Sequence, residues 1–494
     1  MTLTQQRPID EVRLIASDQL NSERRSALGQ FMTPSAIADF MASLFRYWPA
    51  ESRLLDPGAG IGSLTEAFVS QWSEQVQHGS RLHITAYEIE PLLGQYLRDH
   101  LGEFSKHGAR LGSEVKTELI ERDFIVEATF ALSFGGPRFT HIILNPPYRK
   151  IGAASEYRLM LRKIGVETVN LYTAFLALAV ALCDEGGEIV AIVPRSFCNG
   201  TYFRPFREWL LRRVALTHIH VFDSRKKAFR DDDVLQENVI VHLIRGAQQG
   251  PVTISSSRDA SFNNHSERQV PFDEVVKPSD LEYFIHVPTV AANDTSELFL
   301  HTLSDIGLGV STGPVVDFRV RAHWLSKPRK KAAPLLYTHH FAKGEFKWPR
   351  EHRKPNALSL NDETRKWLMP RGWYTLTKRF SSKEERRRIV AYVVDPSRLP
   401  GELYGFENHL NVFHCGKKGL SEELARGIAL FLNSTVVDLH FRTFSGHTQV
   451  NATDLRAMRF PPAETLIRFG KWAKKQGQLT QERIDRYITL IHAT

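Results

Sequence analysis

Ser52-Arg53-Leu54-Leu55-Asp56-Pro57-Gly58-Ala59-Gly60-Ile61-Gly62-Ser63-Leu64 decides the architecture. A short apolar run ends in an acid and opens into three alternating glycines, which is how a first strand turns into a helix while its backbone stays open to a ligand. Working outward, the chain from Arg53 to Arg245 alternates apolar runs with helical stretches. The strand candidates are SRLLD (52–56), LHITAYE (82–88), THIIL (140–144), GEIVAIV (187–193), LTHIHVF (216–222) and NVIVHLI (238–244). Between them Leu64–Gln75 and Leu171–Cys183 read as helices, with Gly186-Gly187 as a turn into the following strand. That rhythm predicts an α/β domain with a parallel sheet covered on both faces. Residues 1–28 read as an N-terminal extension, 29–247 as the catalytic domain, and 248–296, rich in Ser, Asn and Gln at its start, as a linker region. Residues 297–494 lose the βαβ rhythm and read as a second domain of mixed architecture.

The glycine loop narrows the ligand. Glu88 ends the second strand 26 residues after Gly62, where a carboxylate accepts both hydroxyls of an adenosine ribose. A dinucleotide loop needs G-x-G-x-x-G and a pyrophosphate, whereas this loop is G-x-G-x-G behind Asp56 and suits a cationic ligand. S-adenosylmethionine is such a ligand; an ordinary βα turn is the structural alternative.

Asn145-Pro146-Pro147-Tyr148 follows directly on the apolar strand that ends at Leu144. The exocyclic amine of adenine is a poor nucleophile because its lone pair is drawn into the ring. Two fixed acceptors, the Asn145 side-chain oxygen and the Pro146 carbonyl, raise electron density on that nitrogen without a strong base. The prolines hold the carbonyl rigid, and Tyr148 offers a face to a base swung out of a duplex. A Pro-Pro turn closing a strand is the bland reading.

Charge separates the two halves. The net charge is +9, yet residues 311–390 hold 20 Lys and Arg against 7 Asp and Glu, leaving 44 against 48 elsewhere. The same stretch carries Trp324, Trp348, Trp367 and Trp373, four of eight tryptophans, and interleaved cations and aromatics suit a nucleic acid. Arg386, Arg387 and Arg388 are candidate phosphate contacts there, or else a solvated helix face. Three cysteines without a CxxC pair exclude a disulfide scaffold and a zinc ribbon. His409, His414, His440 and His447 lack paired metal-ligand spacing, so no metal site is expected. The longest apolar run, Leu171–Cys183, is short of the roughly 20 residues a bilayer needs, and the N-terminus lacks a signal-peptide core, which predicts a cytoplasmic protein with no membrane partner.

Taken together, these motifs resemble the γ-class N6-adenine DNA methyltransferases of type II restriction–modification systems, over about Gly29 to Arg245 and in the family's order. The resemblance implies a Rossmann-like S-adenosylmethionine-dependent sheet, a C-terminal DNA-recognition domain, double-stranded DNA as substrate, base flipping, and functional pairing with a restriction endonuclease. It implies that Phe31, Thr33 and Pro34 close over the cofactor's methionine part, that Asp56, Gly58, Gly60 and Gly62 form its loop, and that Glu88 and Ile89 contact its ribose. Asp123 and Phe124 match the pair that holds the cofactor's adenine, although Asp123 also reads as a helix cap. Asn170 to Phe175 is similar to the helix that follows the catalytic motif. Phe229 matches the second aromatic around the flipped base, with Phe222 as its rival. Competing readings are a methyltransferase acting on RNA or on a protein glutamine, a fused restriction–methylation enzyme, and a catalytically silent DNA-binding protein on the same scaffold.

Overall fold

The computed structural model describes residues 9–20, 32–110, 112–222, 237–262, 264–278, 280–287, 298–327, 329–344, 346–381, 385–444, 449–477 and 479–492. The chain divides into two compact units, Met1–Val287 and Pro288–Thr494.

The first unit is built on nine strands: β1 (Glu51–Pro57), β2 (Arg81–Tyr87), β3 (Glu114–Ile120), β4 (Phe139–Leu144), β5 (Cys183–Pro194), β6 (Val214–Phe222), β7 (Asn238–Arg245), β8 (Val252–Ser257) and β9 (Ser266–Val270). Their order in the sheet is β3-β2-β1-β4-β5-β7-β6-β8-β9. β1 to β5 run parallel. β7 enters antiparallel between β5 and β6, and β9 is antiparallel to β8, so the sheet is mixed rather than wholly parallel. Central strands buried on both faces need continuous apolar runs, and neighbours then point to opposite sides. Leu54 and Ile143 face a core with Phe68, Trp72 and Ile84. Leu55 and Ile142 face another with Phe124, Leu176 and Val241.

Three differences from the sequence expectation have physical causes. β3 was not foreseen because it is an edge strand whose Glu114, Lys116 and Glu118 interrupt the apolar run. β5 begins at Cys183, and Gly186-Gly187 lie inside it, where the pairing with β4 is irregular between Phe139 and His141. The expected linker contains β8, β9 and the helix Phe272–Val275. Its serines are strand residues that satisfy buried imidazoles: Ser255 Oγ lies 2.6 Å from His218 Nε2 and 2.8 Å from His220 Nδ1, and Ser257 Oγ lies 3.0 Å from His220 Nε2.

The second unit carries a four-stranded antiparallel sheet, ordered β10 (Gly309–Thr312), β18 (Leu410–His414), β15 (Tyr374–Lys378) and β16 (Ala391–Val394). A second sheet is ordered β11 (Trp324–Leu325), β13 (Ala357–Ser359), β12 (Ala332–Leu336), β17 (Leu403–Phe406) and β14 (Leu368–Pro370). The helices Glu422–Leu432 and Ala463–Lys474 cross in backbone contact: a Cβ on Gly427 would sit 1.8 Å from Leu466 O, and one on Gly470 1.7 Å from Glu423 O. Trp324, Trp367 and Trp373 are half-buried with the cations Arg321, Lys366 and Arg426 over their rings.

The arginine run needs correction. Residues 385–390 form no helix. Arg388 is fully buried with its guanidinium over Phe441, its backbone N–H bonded to Asp438 Oδ1 at 2.6 Å. Arg387 is half-buried and donates to Ser434 O at 2.7 Å and to Gln481. Those two side chains hold the C-terminal helices; Arg386 is the exposed member of the three.

Candidate active site

Parallel pairing of β1 with β2, Asp56 opposite Ala86, brings the two loops at the strands' carboxyl ends together. Gly58 N–H (2.8 Å) and Ala59 N–H (2.9 Å) donate to Tyr87 O, and Gly60 N–H donates to Glu88 Oε2 at 2.8 Å. Gly62 occupies the position before the helix Ser63–Gln75 at φ 95°, where a side chain is strained. Glu88 is 2% exposed and Glu90 N–H donates to its Oε1 at 2.7 Å. Burial pushes its carboxyl above the ordinary value. Asp56 is fully buried, and Thr65 Oγ1 donates to its Oδ2 at 2.7 Å. Burial, with nearby Glu88 adding to it, pushes the Asp56 carboxyl up to about 7. Two desolvated carboxyls thus lie beside one glycine loop.

The third strand end adds Asp123. Its Oδ1 caps the helix Phe124–Phe134 by accepting from Ile125 N–H at 2.8 Å and Val126 N–H at 3.2 Å. Its Oδ2 accepts from the Tyr157 hydroxyl. Asp123 is the helix cap, and it also lines the cavity. Burial, then the Asp123 bond, pushes the Tyr157 phenol up to about 12. Phe124 is buried between Tyr87 (ring centroids 5.2 Å) and Phe175 (4.9 Å).

The fourth strand end delivers the Pro-Pro loop. Asn145 Nδ2 donates to Thr33 Oγ1 at 3.0 Å, and Asn145 Oδ1 accepts from Tyr148 OH at 2.9 Å. Pro146 is buried, Asn145 and Tyr148 half-buried. The Tyr148 ring meets Tyr172 edge-on at 6.3 Å, and burial pushes its phenol up.

One cavity joins these parts. Thr33, Gly58, Gly60, Glu88, Ile89, Asp123, Phe124, Asn145 and Pro147 all line it. Asp56, Gly62, Pro146 and Tyr148 are not among the lining residues. Pro34 instead opens the helix Ser35–Ala42, its carbonyl accepting from Ile37 and Ala38 N–H. Phe31 and Phe229 lie outside the described residues. Phe222 is 4% exposed and packed against His220 and Phe262 in the core, so it cannot face a base there. Tyr157, Tyr87, Arg122 and Arg149 line the cavity without having been foreseen. Arg149 and Tyr157 follow Asn145 to Tyr148 closely, which is the one sequence signal that pointed to them. Among the described residues no group of three or more His, Cys, Asp or Glu is placed to hold a metal ion, and no helix is long and apolar enough to cross a membrane.

Comparison with known proteins adds four findings. Residues 90–229 match the Eco57I restriction-modification methylase family. The chain is 46% identical over 475 residues to type II methyltransferase M.BsuBI of Bacillus subtilis, covering 94% of this chain and 93% of that protein. It is 42% identical over 490 residues to type II methyltransferase M.PstI of Providencia stuartii, covering 97% and 96%. Its fold is similar to that in the cryoEM structure of a DrdV–DNA complex, at 13% identity and a TM-score of 0.53, over 95% of this chain and 60% of that one.

Proposed function

The chain belongs to the type II methyltransferases of restriction–modification systems, and from that premise we propose that it transfers a methyl group from S-adenosylmethionine to N6 of adenine within a short DNA sequence. The observation that carries the reading is the cavity shared by Glu88, Asp123 and Asn145, which follow the carboxyl ends of β2, β3 and β4. Such a mark would protect the sequence from a partner endonuclease.

The residues fit the donor. A cation over the glycine loop suits the buried carboxyls of Asp56 and Glu88. Glu88 accepts the ribose hydroxyls, Asp123 the adenine amine, and Phe124 with Ile89 packs against the base. S-adenosylmethionine supplies an electrophilic methyl group on a sulfonium. With that group bound, Asn145 Oδ1 and Pro146 O would accept the two N–H bonds of the target amine and make its lone pair available for alkylation. The proton that the nitrogen gives up on alkylation would pass to water. Asn145 is an amide and not a base, which suits an amine that needs polarising rather than deprotonation first.

Residues 297–494 are assigned target recognition, with Arg386 as the phosphate contact of its run. Tyr148 and Phe229 are assigned to either side of the flipped base. Asn145 favours adenine, since N4-cytosine enzymes more often have Ser at that position. Transfer of labelled methyl to duplex DNA tests the reading: wild type labels DNA at adenine, and Asn145→Ala loses about two to three orders of magnitude in turnover while still binding DNA. Near-normal turnover in Asn145→Ala would overturn the assigned role.

A further inference from the structure

We infer that Thr33 is a positioning residue for catalysis: by accepting a hydrogen bond from Asn145 Nδ2, it holds the Asn145 amide in the flip that aims Oδ1 at the target amine. This rests on the proposed function and goes beyond the cofactor contact assigned to Thr33 by resemblance.

The argument starts from the symmetry of an amide. The two ends of an Asn side chain have nearly the same shape, so packing alone does not choose which end faces the substrate; hydrogen-bond partners do. The choice decides the chemistry here. With Oδ1 toward the target, an acceptor meets a donor amine. With the amide reversed, two N–H groups would meet two N–H groups, and the reaction would lose its electron-releasing contact. In this structure Nδ2 points at Thr33 Oγ1 (3.0 Å), and Oδ1 points away from it, toward Tyr148 OH (2.9 Å).

Thr33 is well placed to hold that end. It is 5% exposed and stands 112 residues before Asn145, on the segment entering the helix Ser35–Ala42. Pro34 fixes the turn behind it, with its carbonyl accepting from Ile37 N–H (3.1 Å) and Ala38 N–H (3.0 Å). A hydroxyl there is nearly dry and accepts a hydrogen bond from Nδ2. Tyr148 OH, as the donor to Oδ1, supports the same orientation from the other end, and the second lone pair of Oδ1 stays available to the substrate. Thr33 and Asn145 also share the cavity with Glu88 and Asp123, so one side chain borders the cofactor and orients the group that polarises the target.

Thr33→Val keeps the side chain's shape and removes the acceptor; Thr33→Ala serves if the valine variant does not fold. Single-turnover methylation of duplex DNA at saturating S-adenosylmethionine should slow about tenfold, as for the loss of one net hydrogen bond. Calorimetric cofactor affinity should change by less than about threefold. Thr33→Ser, which keeps the hydroxyl, should recover most of the rate. A full rate in Thr33→Val at saturating cofactor would overturn the inference and leave only a cofactor contact. Equal slowing in Thr33→Ser would also overturn it, since the hydroxyl would then not be the cause. A wild type that methylates no adenine contradicts the proposed function itself, a result separable from either.

Discussion

Gly60 donates its backbone N–H to Glu88 Oε2 at 2.8 Å, joining the loop after β1 to the carboxylate after β2 across 28 residues of sequence. The contact makes Glu88 a support of the glycine loop, and the proposed function makes it a cofactor contact as well. Glu88→Ala should therefore weaken S-adenosylmethionine by about 10- to 100-fold in calorimetry, the range for losing hydrogen bonds to a charged acceptor. Affinity within twofold of wild type would show that the carboxylate is structural only.

Tyr148 donates its hydroxyl to Asn145 Oδ1, and the proposed function gives its ring to the flipped base. The two roles separate in a fluorescence experiment with 2-aminopurine at the target position. Wild type should raise the signal on binding, Tyr148→Phe should keep most of the rise, and Tyr148→Ala should reduce it. Absence of any rise with wild type counts against flipping.

The arginine run gives opposite expectations for adjacent residues. Arg388→Ala should cost on the order of 3 kcal/mol in denaturant unfolding, because a buried guanidinium and its partners are lost together. Its effect on the salt dependence of DNA binding should be nil. Arg386→Ala should leave stability within about 0.5 kcal/mol and flatten the slope of log affinity against log salt by about 0.9 if its side chain reaches a phosphate. A change of slope in Arg388→Ala would reverse the assignment.

A buried histidine layer sets a pH limit. Burial, reinforced by neighbouring histidines, holds His218 down to about 4 and His220 down to about 3, against 6.5 ordinarily. Both must stay neutral in the fold. Below about pH 6.5 the unfolded chain takes up protons that the folded chain refuses, so their contribution is complete above that pH and is lost as pH falls toward 4. Each group contributes about 1.4 kcal/mol per pH unit across that window. His220→Asn should make the acid slope of unfolding free energy correspondingly shallower between pH 6 and 4.5. Equal slopes would place the acid sensitivity elsewhere.

These expectations also show what the sequence carried and what it did not. Continuous apolar strands such as His141 to Leu144 declare themselves because both faces are buried. β3 and β8 do not: one alternates charges along an edge, and the other contains Ser255 and Ser257, which look like linker residues until His218 and His220 are seen to need them. The cavity's glycine loop, Glu88 and Asn145 were legible because their chemistry requires specific residue types at strand ends. Tyr157 was legible only as a near neighbour of the Pro-Pro loop, since its bond to Asp123 spans 34 residues. Arg388 misled for the reverse reason: a run of three cations reads as surface, while Phe441 and Asp438 draw the third one inside.

The central claim is that Asn145 sits where an adenine amine receives a methyl group within one DNA sequence. Long-read sequencing with modified-base detection, on DNA from a methylation-free host expressing the full chain, tests it most directly. The account predicts N6-methyladenine at a single position of one short recurring sequence, absent when Asn145→Ala is expressed instead. N4-methylcytosine, or unmarked DNA alongside a protein shown to transfer methyl groups to another acceptor, would contradict it.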